Sequence, residues 1–175
     1  MSTKQLEKFA TEVKIPENVK VSIKSHMLNV EGPLGKTYKN FKKIPVDIEI
    51  TDSKVSLKAQ GTRNSSFAIM NTARSIIRNL IEGVIEGYTV KMKIVFSHFP
   101  INVKVEGKQV LIENFQGERA PRISLIKGAT KVTVKGDDVI LTGPVLTDVS
   151  QTAANIQLKS RVKNKDHRVL SLIHI

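Results

Sequence analysis

From Lys159 to Arg168 the chain carries Lys159, Arg161, Lys163, Lys165 and Arg168 against a single acid, Asp166. Cations at this density neutralise phosphates, and a guanidinium can clamp one with two parallel hydrogen bonds. Asn164 and His167 are interleaved with them, and both can hydrogen-bond sugars and base edges as well as phosphate. Lys36, Lys39, Lys42 and Lys43 form a second basic patch, and Lys91, Lys93, Arg119 and Arg122 a third. A run of charge is more often a solvated face than a site. This one closes a folded unit and is only a few residues long, which makes it positioned. Bases of single-stranded RNA stack on exposed aromatics, and only Phe115 and Tyr38 are suited to that here. The composition therefore fits the reading of backbone and shape in a folded polyanion better than the reading of sequence.

Other chemistries find no residues. Gly32-Pro33-Leu34-Gly35-Lys36-Thr37 ends like a phosphate-binding loop. Such a loop needs a glycine where Val30 stands and a helix after Thr37, and Thr37 to Phe41 reads as strand. The spacing Gly32 to Gly35 also matches the backbone clamp of KH domains, but that clamp lies between helices. A hairpin turn is the better reading. His26, His98, His167 and His174 show no metal-ligand spacing. Glu17, Glu31, Glu113, Asp137 and Asp138 lack convergent partners for acid–base work. No Gly-x-Ser-x-Gly elbow raises a serine as nucleophile, and the chain has no cysteine. Neither an enzyme nor a cofactor or metal protein is expected.

The 175 residues hold 28 Lys and Arg against 16 Asp and Glu, a formal net charge of +12. A compact state so charged repels itself and favours an anionic partner, most commonly nucleic acid. No apolar run is long enough to span a membrane, and no segment opposes an aromatic, leucine-rich face to a lysine face. Met1 to Glu12 lacks the apolar core of a secretory signal. A soluble intracellular protein is expected.

The elements that must carry these cations come in two sets. Pro16-Glu17-Asn18-Val19-Lys20-Val21 returns as Pro100-Ile101-Asn102-Val103-Lys104-Val105. With a gap of two residues, Leu28, Val30, Glu31 and Gly35 then match Val110, Ile112, Glu113 and Gly117. Further on, Ile48, Ile50, Val55 and Leu57 match Val132, Val134, Val139 and Leu141. A duplicated unit of about 80 residues follows. Units of that size are marginal alone, so mutual packing or a partner is expected to support them.

Each copy alternates apolar and polar residues as half-buried strands do: Val19-Val21-Ile23, Leu28-Val30, Val46-Ile48-Ile50 and Val55-Leu57 in the first. The second has Val103-Val105, Val110-Ile112, Ile123-Leu125, Val132-Val134 and Val139-Leu141. The period then changes. From Thr62 to Glu82, Phe67, Met70, Ala73, Ile76, Ile77, Leu80 and Ile81 share a helical face, with Gly83 as a stop. Thr147 and Asp148 supply cap residues for a second helix, striped by Val149, Ala153 and Ile156. Gly87 to Ser97 links the copies and enters the second sheet. The fold class is α+β, a tandem duplication of a small unit with an antiparallel-rich sheet covered by one helix. The domains are an N-terminal extension (1–14), a first repeat (15–87), and a second repeat with a basic C-terminal segment (88–175).

Several stretches resemble one family: Ser97-His98-Phe99-Pro100-Ile101-Asn102-Val103, Ala153-Ala154-Asn155-Ile156-Gln157 and Val162-Lys163-Asn164-Lys165-Asp166. Ile15-Pro16-Glu17-Asn18-Val19, Val30-Glu31-Gly32-Pro33-Leu34-Gly35 and Asn114-Phe115-Gln116-Gly117-Glu118 support them. In order, across nearly the whole chain, they resemble the large-ribosomal-subunit protein family numbered six in bacteria and nine in the eukaryotic scheme, in its eukaryotic and archaeal form. The resemblance implies a tandem α+β scaffold without catalysis in the cytoplasmic ribosome. Its partners would be large-subunit ribosomal RNA near the sarcin–ricin loop, neighbouring large-subunit proteins and, transiently, translational GTPases. No small-molecule substrate is implied. Carried over by motif, the RNA-binding positions are Lys159, Arg161, Lys163, Asn164, Lys165 and Arg168, with Arg119 and Arg122 beside the Gly117-Glu118 turn. Two departures stand out. The stretch after Asp166 is shorter and less basic than the family's, and Ala59-Gln60-Gly61-Thr62 replaces its paired tryptophans and basic loop. A free RNA-binding regulator or chaperone is the alternative, and it would call for more exposed aromatics or basic tails.

Overall fold

The structure is a computed structural model that describes residues 10–51, 53–61, 63–96 and 99–162. It divides into two compact units, meeting in sequence at Gly87 and Tyr88. In the first, strands β1 (Ala10–Lys14), β2 (Lys20–Lys24), β3 (Met27–Gly32), β4 (Gly35–Asn40), β5 (Val46–Thr51) and β6 (Lys54–Ala59) precede helix α1 (Asn64–Ile85). The second repeats the order as β7 (Tyr88–Lys93), β8 (Asn102–Glu106), β9 (Gln109–Glu113), β10 (Arg122–Leu125), β11 (Lys131–Lys135), β12 (Asp138–Gly143) and helix α2 (Leu146–Lys159).

Each unit has two three-stranded antiparallel sheets where one was expected: β1-β6-β5 and β2-β3-β4 in the first, β7-β12-β11 and β8-β9-β10 in the second. The first strand of each unit joins the later hairpin and not the earlier one. β1 pairs with β6 (Val13 opposite Val55), just as β7 pairs with β12 (Val90 opposite Leu141). Residues 10–14, read as part of an N-terminal extension, are therefore the first strand of the first unit, and the link after Gly87 is the first strand of the second.

Alternation decides which side chains meet. Leu28 and Val30 of β3 and Val55 and Leu57 of β6 are fully buried, and Met70, Ala73, Ile77, Leu80, Ile81 and Val84 of α1 cover both pairs. The second core is smaller: Val110 and Ile112 of β9, Val139 and Leu141 of β12, Phe115, and Val149 and Ile156 of α2. One expected strand faces the other way. Ile123 and Leu125 of β10 are exposed, and Ser124 between them is fully buried. Helix α2 packs directly on β10, and a small side chain suits that contact.

Helix α1 runs past Gly83, which is buried inside it, and stops at Gly87, whose φ of +75° provides the left-handed turn that ends a helix. Helix α2 begins after Val145, so Thr147 and Asp148 lie within its first turn and do not cap it through their side chains. The Gly32 to Gly35 segment is a two-residue hairpin joining β3 and β4, with Gly32 opposite Gly35. Its Leu34 N–H donates to the Val84 carbonyl (3.0 Å), satisfying one of the orphan acceptors at the end of α1. That docking leaves no room at Gly32. A Cβ there would lie 2.7 Å from Val84 Cγ2 and 3.1 Å from its carbonyl oxygen. Gly32→Ala is therefore expected to cost about 1–3 kcal/mol, read as a lower denaturant midpoint at unchanged m-value.

Candidate nucleic-acid interface

The positions singled out in the second unit do not form one uniform patch. Arg119, Lys159 and Arg161 are exposed, and among the described residues none of their side chains enters an ion pair. Lys163, Asn164, Lys165 and Arg168 lie outside the described residues.

Arg122 departs from the expectation of a solvent-facing cation. Its guanidinium makes a bidentate pair with Glu118, Nε donating to Oε2 at 2.7 Å and Nη2 to Oε1 at 2.5 Å. Nη1 donates to two backbone carbonyls at the end of the helix, those of Lys159 (2.8 Å) and Arg161 (3.0 Å). The guanidinium plane lies over the Phe115 ring, 4.0 Å from its centroid. The Glu118 hydrogen bonds hold Arg122 above its ordinary pKa against the opposing effect of burial, so the cation is permanent. Phe115 is buried beneath it, which removes one of the two proposed stacking aromatics; Tyr38 is 72% exposed.

The duplication explains why an arginine can reach this place. Arg122 stands opposite Ile112 in the β9–β10 register, and Thr37 stands opposite Val30 in β3–β4. Val30 and Ile112 are matched positions of the repeat, so Arg122 occupies the inward position that a buried threonine fills in the first unit. The loop before it is unusual. Asn114, Gln116 and Gly117 all have positive φ (57°, 51° and 74°), and Asn114 Nδ2 donates to the Pro100 carbonyl at 2.9 Å. Phe115 and Glu118 are presented by this tightly wound turn.

Three polar side chains fix α2 to the loop after β10. The buried Thr152 hydroxyl accepts the Lys127 N–H (3.0 Å) and donates to the Asp148 carbonyl (2.7 Å). Asn155 Nδ2 donates to the Leu125 carbonyl at 3.2 Å. The Asp148 carboxylate fills the space beside Gly128 that a Cβ would need. Sequence reasoning missed these roles and that of Glu118. The available signals were an arginine on an inward strand position and the Thr152 to Asn155 spacing on one helical face.

Some surface charges elsewhere are arranged as pairs. Lys36 meets Glu31 at 2.8 Å and holds that carboxyl below its ordinary range; Glu113 meets Lys104 at 2.9 Å and raises the ammonium. Both pairs are solvent-exposed and contribute little to stability. Among the described residues no group of three His, Asp or Glu side chains is placed to hold a metal ion. No helix among them is long and apolar enough to cross a membrane.

A doubled α+β unit on a strongly basic chain, its second copy gripping the start of a cationic segment, defines the class: an internally repeated basic protein. The chain belongs to the ribosomal protein L6 family, whose model matches residues 15–87 and 99–171, one match in each unit. It is 41% identical over 164 residues to the large ribosomal subunit protein uL6 of Methanosarcina mazei, covering 94% of this chain and 93% of that one. To the uL6 proteins of Aeropyrum pernix and Staphylothermus marinus it is 43% and 42% identical, covering 89% and 91% of this chain and 86% and 89% of theirs.

Proposed function

We propose that this chain is a structural constituent of the large ribosomal subunit that binds large-subunit ribosomal RNA and holds its helices in place, with no catalysis of its own. The observation that carries the reading is the second unit's grip on the carbonyls of Lys159 and Arg161, which fixes the start of the cationic run on a rigid body. Lys159, Arg161, Lys163, Lys165 and Arg168 clamp phosphates, Asn164 adds a sugar or base-edge contact, and Arg119 extends the surface. Arg122 supports the segment from beneath. The RNA is that around the sarcin–ricin loop, beside the landing site of translational GTPases, with other large-subunit proteins as neighbours. Each relative named above is a large-subunit protein, which supports the assignment.

A sucrose gradient of cell lysate tests it. The protein is expected to sediment with large subunits and whole ribosomes and to leave them only at high salt, as contacts formed by counterion release do. Recovery mainly at the top of the gradient at physiological salt overturns the assignment and favours a free RNA-binding protein.

A further inference from the structure

We propose that Arg122, Glu118 and Phe115 form a latch that sets the direction in which the basic C-terminal segment leaves the second unit. On this proposal, which rests on the RNA-binding reading above, Arg122 serves RNA recognition as a positioning residue and not as a phosphate contact.

Three independent observations meet at this point. All the guanidinium nitrogens are engaged: Nε and Nη2 by Glu118, Nη1 by the carbonyls of Lys159 and Arg161. These two carbonyls straddle the end of α2, where the last backbone acceptors of a helix have no partner of their own. A side chain from a neighbouring sheet that holds both removes freedom from the chain just where it leaves the helix. Next, the first unit solves the matching problem differently. The matched position there is Thr37, whose buried hydroxyl has no partner among the described residues, and the Val84 carbonyl near the end of α1 is met by the Leu34 backbone N–H. Finally, the platform is costly to make. Three left-handed residues within four, two of them not glycine, present Phe115 and Glu118, and Gln116 Oε1 is buried without a hydrogen-bond partner. A cation needed only for its charge would require none of this.

Pre-positioning aids binding because a segment already aimed loses less entropy on contact. The effect separates cleanly from charge. Glu118→Gln removes an acid, so simple electrostatics predicts tighter RNA binding, whereas loss of the latch predicts weaker binding. Arg122→Lys keeps the charge but lacks the fork that holds Glu118 and two carbonyls together.

The test uses full-length protein, a transcript of the sarcin–ricin region of large-subunit RNA, and an unrelated hairpin of equal length. Both variants are expected to bind the transcript about tenfold more weakly, with the slope of log affinity against log salt unchanged. In the free protein, the amides of Ser160 to Val162 are expected to exchange faster with solvent while those of β9 and β12 keep their protection. The protected strands exclude general unfolding as the cause. Tighter binding by Glu118→Gln, or undiminished affinity of Arg122→Lys, overturns the latch and makes Arg122 an ordinary charge. Unaltered exchange at Ser160 to Val162 overturns it as well. Wild-type protein that does not distinguish transcript from hairpin overturns the RNA reading and the latch's purpose with it, a result separable from the others because no variant is involved.

Discussion

Replacing Lys163, Lys165 and Arg168 together with alanine is expected to weaken RNA association by on the order of a hundredfold at physiological salt. Each cation seated on a phosphate releases a counterion, so the slope of log affinity against log salt should become shallower by about two to three. Lysine and arginine side chains are rarely buried, so folding should be untouched. Anisotropy titrations from about 50 to 200 mM salt, with the thermal midpoint of the free protein, measure both sides. An unchanged slope would take these side chains off the phosphates whatever the affinity did. The contrast with Arg122 is the informative part: three residues that alter the slope against one that alters affinity alone would divide the basic surface into contacts and supports.

Charge and periodicity made much of this molecule legible before any coordinates. The repeat was visible because matched apolar positions such as Val30 and Ile112 must each point into a core, and that requirement outlasts divergence of the polar residues between them. The hairpin at Gly32 was legible because Val30 excluded the alternative. The sheets were harder. Ala10–Lys14 carries a single strongly apolar residue, Val13, and strands this short give almost no periodic signal, so pairing with β6 emerges only in the fold. Gly83 misled because a glycine inside a helix is rare unless packing requires it, and here the position is buried. The direction of β10 was hidden for a similar reason. Ile123 and Leu125 look like the inward pair, yet the helix above admits only Ser124. Arg122 marks the limit of reading charge as function. A count of cations treats it like Lys163, and only a register that places it opposite Ile112 shows that its hydrogen bonds are already committed.

Leu141→Ala should cost the second unit about 2–5 kcal/mol, because Leu141 is fully buried in one cluster with Val139, Val149 and Ile156. A unit of this size holds only about 5–10 kcal/mol, so the substitution removes a large share of it. The damage reaches function by a specific route. Leu141 lies between Val132 of β11 and Val90 of β7, on the sheet that supports α2, and α2 carries the Lys159 carbonyl that Arg122 holds. Loss of that support should release the latch and reduce RNA binding even though every cation remains. The matched substitution Leu57→Ala removes an equally buried side chain from the first core, which shares no residue with the second. It should speed amide exchange in β3, β6 and α1, while Val139 to Leu141 stays protected and RNA binding persists. Should Leu57→Ala instead expose both cores to exchange together, the two copies would be a single cooperative unit, and the C-terminal segment would depend on the whole chain for its position.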